Sequence, residues 1–191
     1  MKNSFKIIVT LVCLMASMTM SSQKCGISST IAMKNKIVSE LPTLIDHSIV
    51  YDPSYVKLDG MCADVPADIG VCSDVIIRAF LNADVCLGEW VYDYRTSKNL
   101  PTDTNIDHRR VRNLGPMFQQ KGWEIPVEKS ILNFDYYEPG DIIWWKLGRG
   151  IDHIGIVMED GFVLHNIGQG QRVDVSPFCY EIFRVYRING F

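Results

Sequence analysis

The order of hydrophobic periods constrains this chain most: helical spacing dominates as far as Gln120, and strand-like runs follow Pro139. Val75, Ile76, Ala79, Phe80 and Ala83 fall at i, i+1, i+4, i+5 and i+8, one face of a helix beginning at Cys72. Upstream, Ile27, Ile31, Ala32, Ile37, Val38 and Leu41 predict a first helix interrupted by Pro42, with Ser28, Ser29 and Thr30 as N-cap candidates. Val85 to about Ser97 and the short stretch Leu114 to Gln120 predict two more. After Pro139-Gly140 come the runs Ile142-Ile143-Trp144-Trp145, Ile154-Gly155-Ile156-Val157, Phe162-Val163-Leu164 and Ile182-Phe183-Arg184-Val185-Tyr186. Helices first and strands second argue an α+β fold, with N-terminal helices packed on a C-terminal antiparallel sheet. Between Tyr51 and Gly70 the residues Pro53, Gly60 and Pro66 break any period, which predicts a long ordered surface loop.

A length of 191 residues, 47% of them apolar, suffices for one substantial core. The N-terminus places Lys2 and Lys6 before the apolar run from Ile7 to Ala16, then small residues at Ser17, Thr19, Ser21 and Ser22. That layout predicts a secretory signal over residues 1–22, cleaved after Ser21 or Ser22, and a single domain over 23–191. An uncleaved anchor is the competing reading, but the apolar run falls short of the roughly 20 residues a bilayer requires. The expected location is therefore exported, periplasmic or secreted, with no stable membrane insertion after signal removal. Nineteen Lys and Arg against 22 Asp and Glu give a net charge of -3, which supplies no positive field to gather nucleic acid. Signal removal would leave Cys25, Cys62, Cys72, Cys86 and Cys179, an odd number. Two disulfides and one unpaired thiol is a natural partition in an oxidising compartment; five reduced thiols is the alternative.

Cys72 lies in Gly70-Val71-Cys72-Ser73-Asp74, in the first turn of its predicted helix. Unpaired N–H groups and the helix dipole there favour negative charge, so a lowered thiol pKa and a nucleophilic thiolate are expected. A packed cysteine or a disulfide half competes with that reading. His153 begins one predicted strand and His165 ends the next. Strand side chains alternate faces, so the turn between them decides whether they meet. A two-residue Asp160-Gly161 turn would put Asn166 on the face of His153. A three-residue Glu159-Asp160-Gly161 loop, with Gly161 left-handed, opposes His153 to Ile167 and makes His165 its diagonal neighbour. His165 could then orient His153 while His153 takes the thiol proton. A zinc site using the histidines with Asp152, Asp107 or Cys72 is another reading, without any tight ligand pair to support it.

At Cys72, Pro139-Gly140-Asp141, His153-Ile154-Gly155-Ile156-Val157 and His165, the chain resembles the NlpC-type cell-wall peptidases, a branch of the papain-like fold. It is more closely similar to a bacterial family known as a domain of unknown function, with YijF-like members. That likeness rests on Tyr51-Asp52-Pro53-Ser54-Tyr55, Gly70-Val71-Cys72-Ser73-Asp74-Val75, Asn105-Ile106-Asp107-His108-Arg109-Arg110-Val111 and Leu164-His165-Asn166-Ile167-Gly168. The resemblance implies a papain-like fold and a Cys72–His153 catalytic pair, with no defined substrate. The chain departs from the family pattern around Gly60-Met61-Cys62 and at Cys86, which reads as a local disulfide.

Asp107-His108-Arg109-Arg110 could bind a substrate carboxylate through planar bidentate contacts, or form an ion-paired loop. Trp144 and Trp145 should point to opposite sides of their strand, one into the core and one along a cleft. The expected catalytic set is Cys72, His153 and His165; the expected substrate-binding set is Tyr55, Asp74, His108, Arg109, Arg110, Trp144 and Asn166. The expected reaction is hydrolysis of an amide bond in peptide or peptidoglycan fragments through a thioester, with no metal or organic cofactor. Acyl or peptidyl transfer on the same fold, or a non-catalytic wall-binding protein, are the alternatives.

Overall fold

A computed structural model describes residues 28–127, 136–174 and 180–189. The expected signal segment, Cys25 and Cys179 lie outside the described residues. Helix α1 runs through 28–40 and tightens into a 3-10 turn at Leu41–Leu44, where Pro42 cannot continue the α-helical ladder. The expected loop follows, edged by two short parallel strands, β1 (Val50–Tyr51) and β2 (Ile69–Gly70). Helices α2 (Cys72–Leu81), α3 (Leu87–Ser97) and α4 (Val111–Gln120) come next, and α2 begins at Cys72 as its pattern predicts. Among the described residues no helix is long and apolar enough to cross a membrane.

Strands β3 (Glu124–Ile125), β4 (Ile142–Leu147), β5 (Ile151–Val157), β6 (Val163–Asn166), β7 (Gln171–Asp174) and β8 (Glu181–Tyr186) form one antiparallel sheet in the order β3-β8-β4-β5-β6-β7. Alternation splits its side chains between two cores. Ile142, Trp144, Ile154, Ile156, Leu164 and Tyr186 meet the helices, against Ile37, Ile76, Phe80, Leu114 and Phe118. Ile143, Trp145, Val157, Val163 and Val185 form a smaller cluster on the other face with Tyr137. Both tryptophans are buried, so neither borders a cleft as expected of Trp144. The Trp144 indole instead donates to Asp152 Oδ1 at 2.8 Å.

The long loop is ordered by polar ties to α2. Arg78 donates through Nε to Asp64 Oδ2 (2.7 Å), through Nη1 to Gln171 Oε1 (2.7 Å) and through Nη2 to the Ile69 carbonyl (2.8 Å). Cys62 and Cys86 are joined in a disulfide, as the departure from the family pattern suggested. It seats the loop directly on α3: a Cβ at Gly88 would lie 1.8 Å from the Met61 carbonyl oxygen, so only glycine admits this approach. In the Pro139-Gly140-Asp141 turn, buried Asp141 receives Arg187 through both oxygens, at 2.9 and 2.7 Å.

Candidate active site

The start of α2 is built by Asp74. Its N-cap is Val71, whose side chain cannot accept a hydrogen bond, so Asp74 Oδ2 receives the Val71 N–H at 2.7 Å. Arg109 closes on the same carboxylate from behind, Nε to Oδ1 and Nη2 to Oδ2, both at 2.9 Å. Its remaining nitrogen donates to the Ser54 carbonyl at 3.2 Å. These contacts fix the turn that carries Cys72.

The Cys72 thiol is buried and is the free cysteine among the described residues. It meets β5 at the strand's edge. The β5–β6 ladder pairs only Ile156 with Leu164 and Val157 with Val163, after which His165 and Asn166 pair with β7 alone. The Ile154 N–H that a longer ladder would bind is left to the side of Cys72, and that N–H, the Ser73 N–H and the Tyr51 hydroxyl are the polar groups acting on the thiol. All three favour the thiolate, yet burial dominates and, with Asp74 adding repulsion, pushes the thiol up to about 11. The lowered pKa expected from a first-turn position is thus overridden by desolvation. Tyr51 is raised to about 12, by burial first and then by the neighbouring Cys72.

The hairpin adopts the three-residue form. Met158 N–H donates to the Phe162 carbonyl at 2.8 Å, Gly161 has φ 80°, and the register runs through Ile156–Leu164. His153 and His165 therefore share a face, and His153 Nε2 lies 2.9 Å from His165 Nδ1. Both rings are buried, and desolvation lowers them, to about 3 for His153 and about 4 for His165. They are neutral at pH 7. Trp145 pairs with His153 in the ladder and lies beside its ring, 5.7 Å between centroids, so the histidines sit on the sheet face opposite Ile154 and the helices. The thiol thus lies on the helix side of β5 near Ile154, and the imidazole pair on the opposite side at the neighbouring residue.

A pocket of about 330 Å³ opens above the thiol, lined by Tyr51, Pro53, Val71, Cys72, Ser73, Ile106, Arg109, Arg110, Val111, Arg112 and Asp152. Of the expected binding residues, Arg109 and Arg110 line it. Arg109 is committed to Asp74, which corrects its expected role as a substrate clamp, and Asp74 is equally committed. His108 is buried and held below its ordinary pKa by desolvation, away from the lining. Tyr55 is exposed and bonds Asp103 and Asn105. Asn166 donates to the Gly70 carbonyl at 3.3 Å and accepts the Gly168 N–H at 3.0 Å, so it ties β6 to the segment before Cys72. Sequence reasoning missed Tyr51 and Arg112; Tyr51 stood in a quoted motif, whereas nothing local marked Arg112. The one His/Cys/Asp/Glu group among the described residues close enough for a cation is Cys62, Cys86 and Glu89, and its sulfurs are bound to each other.

Two comparisons bear on this arrangement. Residues 39–188 match the family model described as "Domain of unknown function (DUF1287)". The chain is also 38% identical over 160 residues to "Uncharacterized protein YijF" of Escherichia coli (strain K12), covering 75% of this chain and 76% of that protein. With the match spanning the helix of Cys72 and the hairpin of both histidines, this chain belongs to the DUF1287 family.

Proposed function

We propose that this protein is an exported cysteine hydrolase of NlpC-type papain-like fold that cleaves an amide bond in cell-wall peptide. The observation that carries the reading is the buried His153–His165 contact of 2.9 Å, one residue along β5 from Ile154, whose N–H acts on the Cys72 thiol. His153 has Nε2 occupied by His165, so Nδ1 is its nitrogen for the thiol proton. That requires the tautomer in which His153 Nε2–H donates to His165 Nδ1. His165 then carries its own proton on Nε2, which is buried without a partner.

With a raised thiol and lowered imidazoles, the resting site is neutral, and the proton moves as the thiol attacks. Sγ bonds to the substrate carbonyl carbon while its proton passes to His153. First-turn N–H groups of α2 stabilise the oxyanion, the C–N bond breaks, and the amine leaves with the proton. Water then cleaves the thioester, with His153 again as base. Bringing His153 and Sγ within hydrogen-bond reach at the strand edge is the movement that substrate binding must drive. Incubating the mature chain with defined peptidoglycan fragments and weighing the products tests this. Amide cleavage that vanishes in Cys72→Ala supports it; cleavage unchanged in that variant, or no amide cleavage in any fragment, contradicts it.

A further inference from the structure

Three guanidiniums reach the pocket above Cys72, and their commitments differ. Arg109 is saturated by Asp74 and backbone carbonyls. Arg110, with 44% of its side chain exposed, has only a long 3.9 Å approach to Asp107 Oδ1. Asp107 itself is taken by Arg95 Nε at 3.0 Å and by the Asp103 N–H at 2.7 Å. Arg112 is exposed, with no ion pair or side-chain hydrogen bond of its own among the described residues. The single carboxylate in the lining, Asp152, is neutralised by Lys146 and bonded by the Trp144 indole. The pocket therefore offers two uncommitted, permanently charged planar donors beside a nucleophile, between the apolar walls of Pro53, Ile106 and Val111.

Guanidinium pairs of this kind match a carboxylate, which accepts two parallel N–H bonds from each fork. We infer that Arg110 and Arg112 form a subsite for a substrate carboxylate next to the scissile carbonyl, so the protein prefers acidic peptides over their amidated forms. This deepens the hydrolase reading and rests on it for the location of the scissile bond; the subsite itself is tested by binding alone.

The probes are N-acetyl-Ala-Glu and its diamide, titrated calorimetrically into the mature Cys72→Ala protein, which removes turnover from the readout. The acid is expected to bind roughly tenfold tighter per engaged arginine than the diamide, with an affinity that falls as salt rises. Arg110→Gln and Arg112→Gln should each shrink the preference, and the double variant should abolish it; both positions are exposed, and circular dichroism will confirm the fold. Equal affinity for acid and diamide, no binding of either, or a preference that survives the double variant would overturn the subsite. The hydrolase reading is judged separately, by whether wild type cleaves where Cys72→Ala does not.

Discussion

Two buried polar pairs, one at the start of α2 and one on the far face of β5, are built to opposite ends. Asp74–Arg109 is ionised and saturated: both carboxylate oxygens and all three guanidinium nitrogens have partners. His153–His165 is neutral and incomplete, with one contact between rings and a buried nitrogen left unpartnered. A saturated pair can only hold a shape, whereas a neutral imidazole pair keeps one unprotonated ring nitrogen, His153 Nδ1 in the tautomer set by His165, that can take up a proton. The first fixes the turn that carries the thiol, and the second is the base we propose for it.

The sharpest way to break that contrast is substitution within each pair, scored for both stability and turnover. His153→Gln should lower kcat/KM by about 10²- to 10⁴-fold, the usual worth of a general base, while denaturant unfolding moves by no more than about 1 kcal/mol. Asp74→Ala should do the reverse in kind. It strands Arg109 in the core and should cost about 3–5 kcal/mol in urea unfolding, with turnover of the remaining folded protein falling less than in His153→Gln. Equal stability losses in the two variants would erase the distinction.

A smaller effect separates His165, a positioning residue, from His153. His165→Ala should reduce kcat by roughly 100-fold through misorientation of the His153 ring, and His165→Asn, which keeps an acceptor for Nε2–H, should recover part of it. Unchanged KM with a shifted pH profile of kcat distinguishes this from a general loosening of the sheet. The smallest effect is on stability against pH. Both imidazoles have folded values, about 3 and about 4, below the ordinary value of 6.5, so the unfolded chain binds more protons between those limits. Their contribution is complete above pH 6.5 and is lost as pH falls through that window. His153→Gln should flatten the slope between pH 5 and 6.5, above the range where ordinary carboxylates titrate; an identical slope would mean the ring is solvated in the native protein.

The hairpin was legible up to one choice, because turn length and strand parity are local: of the two turns open to Glu159-Asp160-Gly161, the structure adopts the three-residue one, which brings His165 to His153. The start of α2 was legible for the same reason, through its spacing. Arg109 was not, because its partner Asp74 lies 35 residues away and sequence does not measure that distance. Nor was the thiol's raised pKa, which depends on how completely the loop and β5 cover it, against a dipole argument that assumes solvent. Strands Glu124–Ile125 and Gln171–Asp174 were missed because each is short and polar, held by neighbours and not by an alternating pattern.

The most direct test is to look for the covalent intermediate itself. Protein mixed with cleavable peptidoglycan fragments, quenched in acid within a turnover and digested, should show the Cys72 peptide heavier by the acyl portion of the substrate, and the adduct should be missing from His153→Gln over the same interval. Turnover without an adduct on Cys72, at a rate that Cys72→Ala leaves unchanged, would contradict the account.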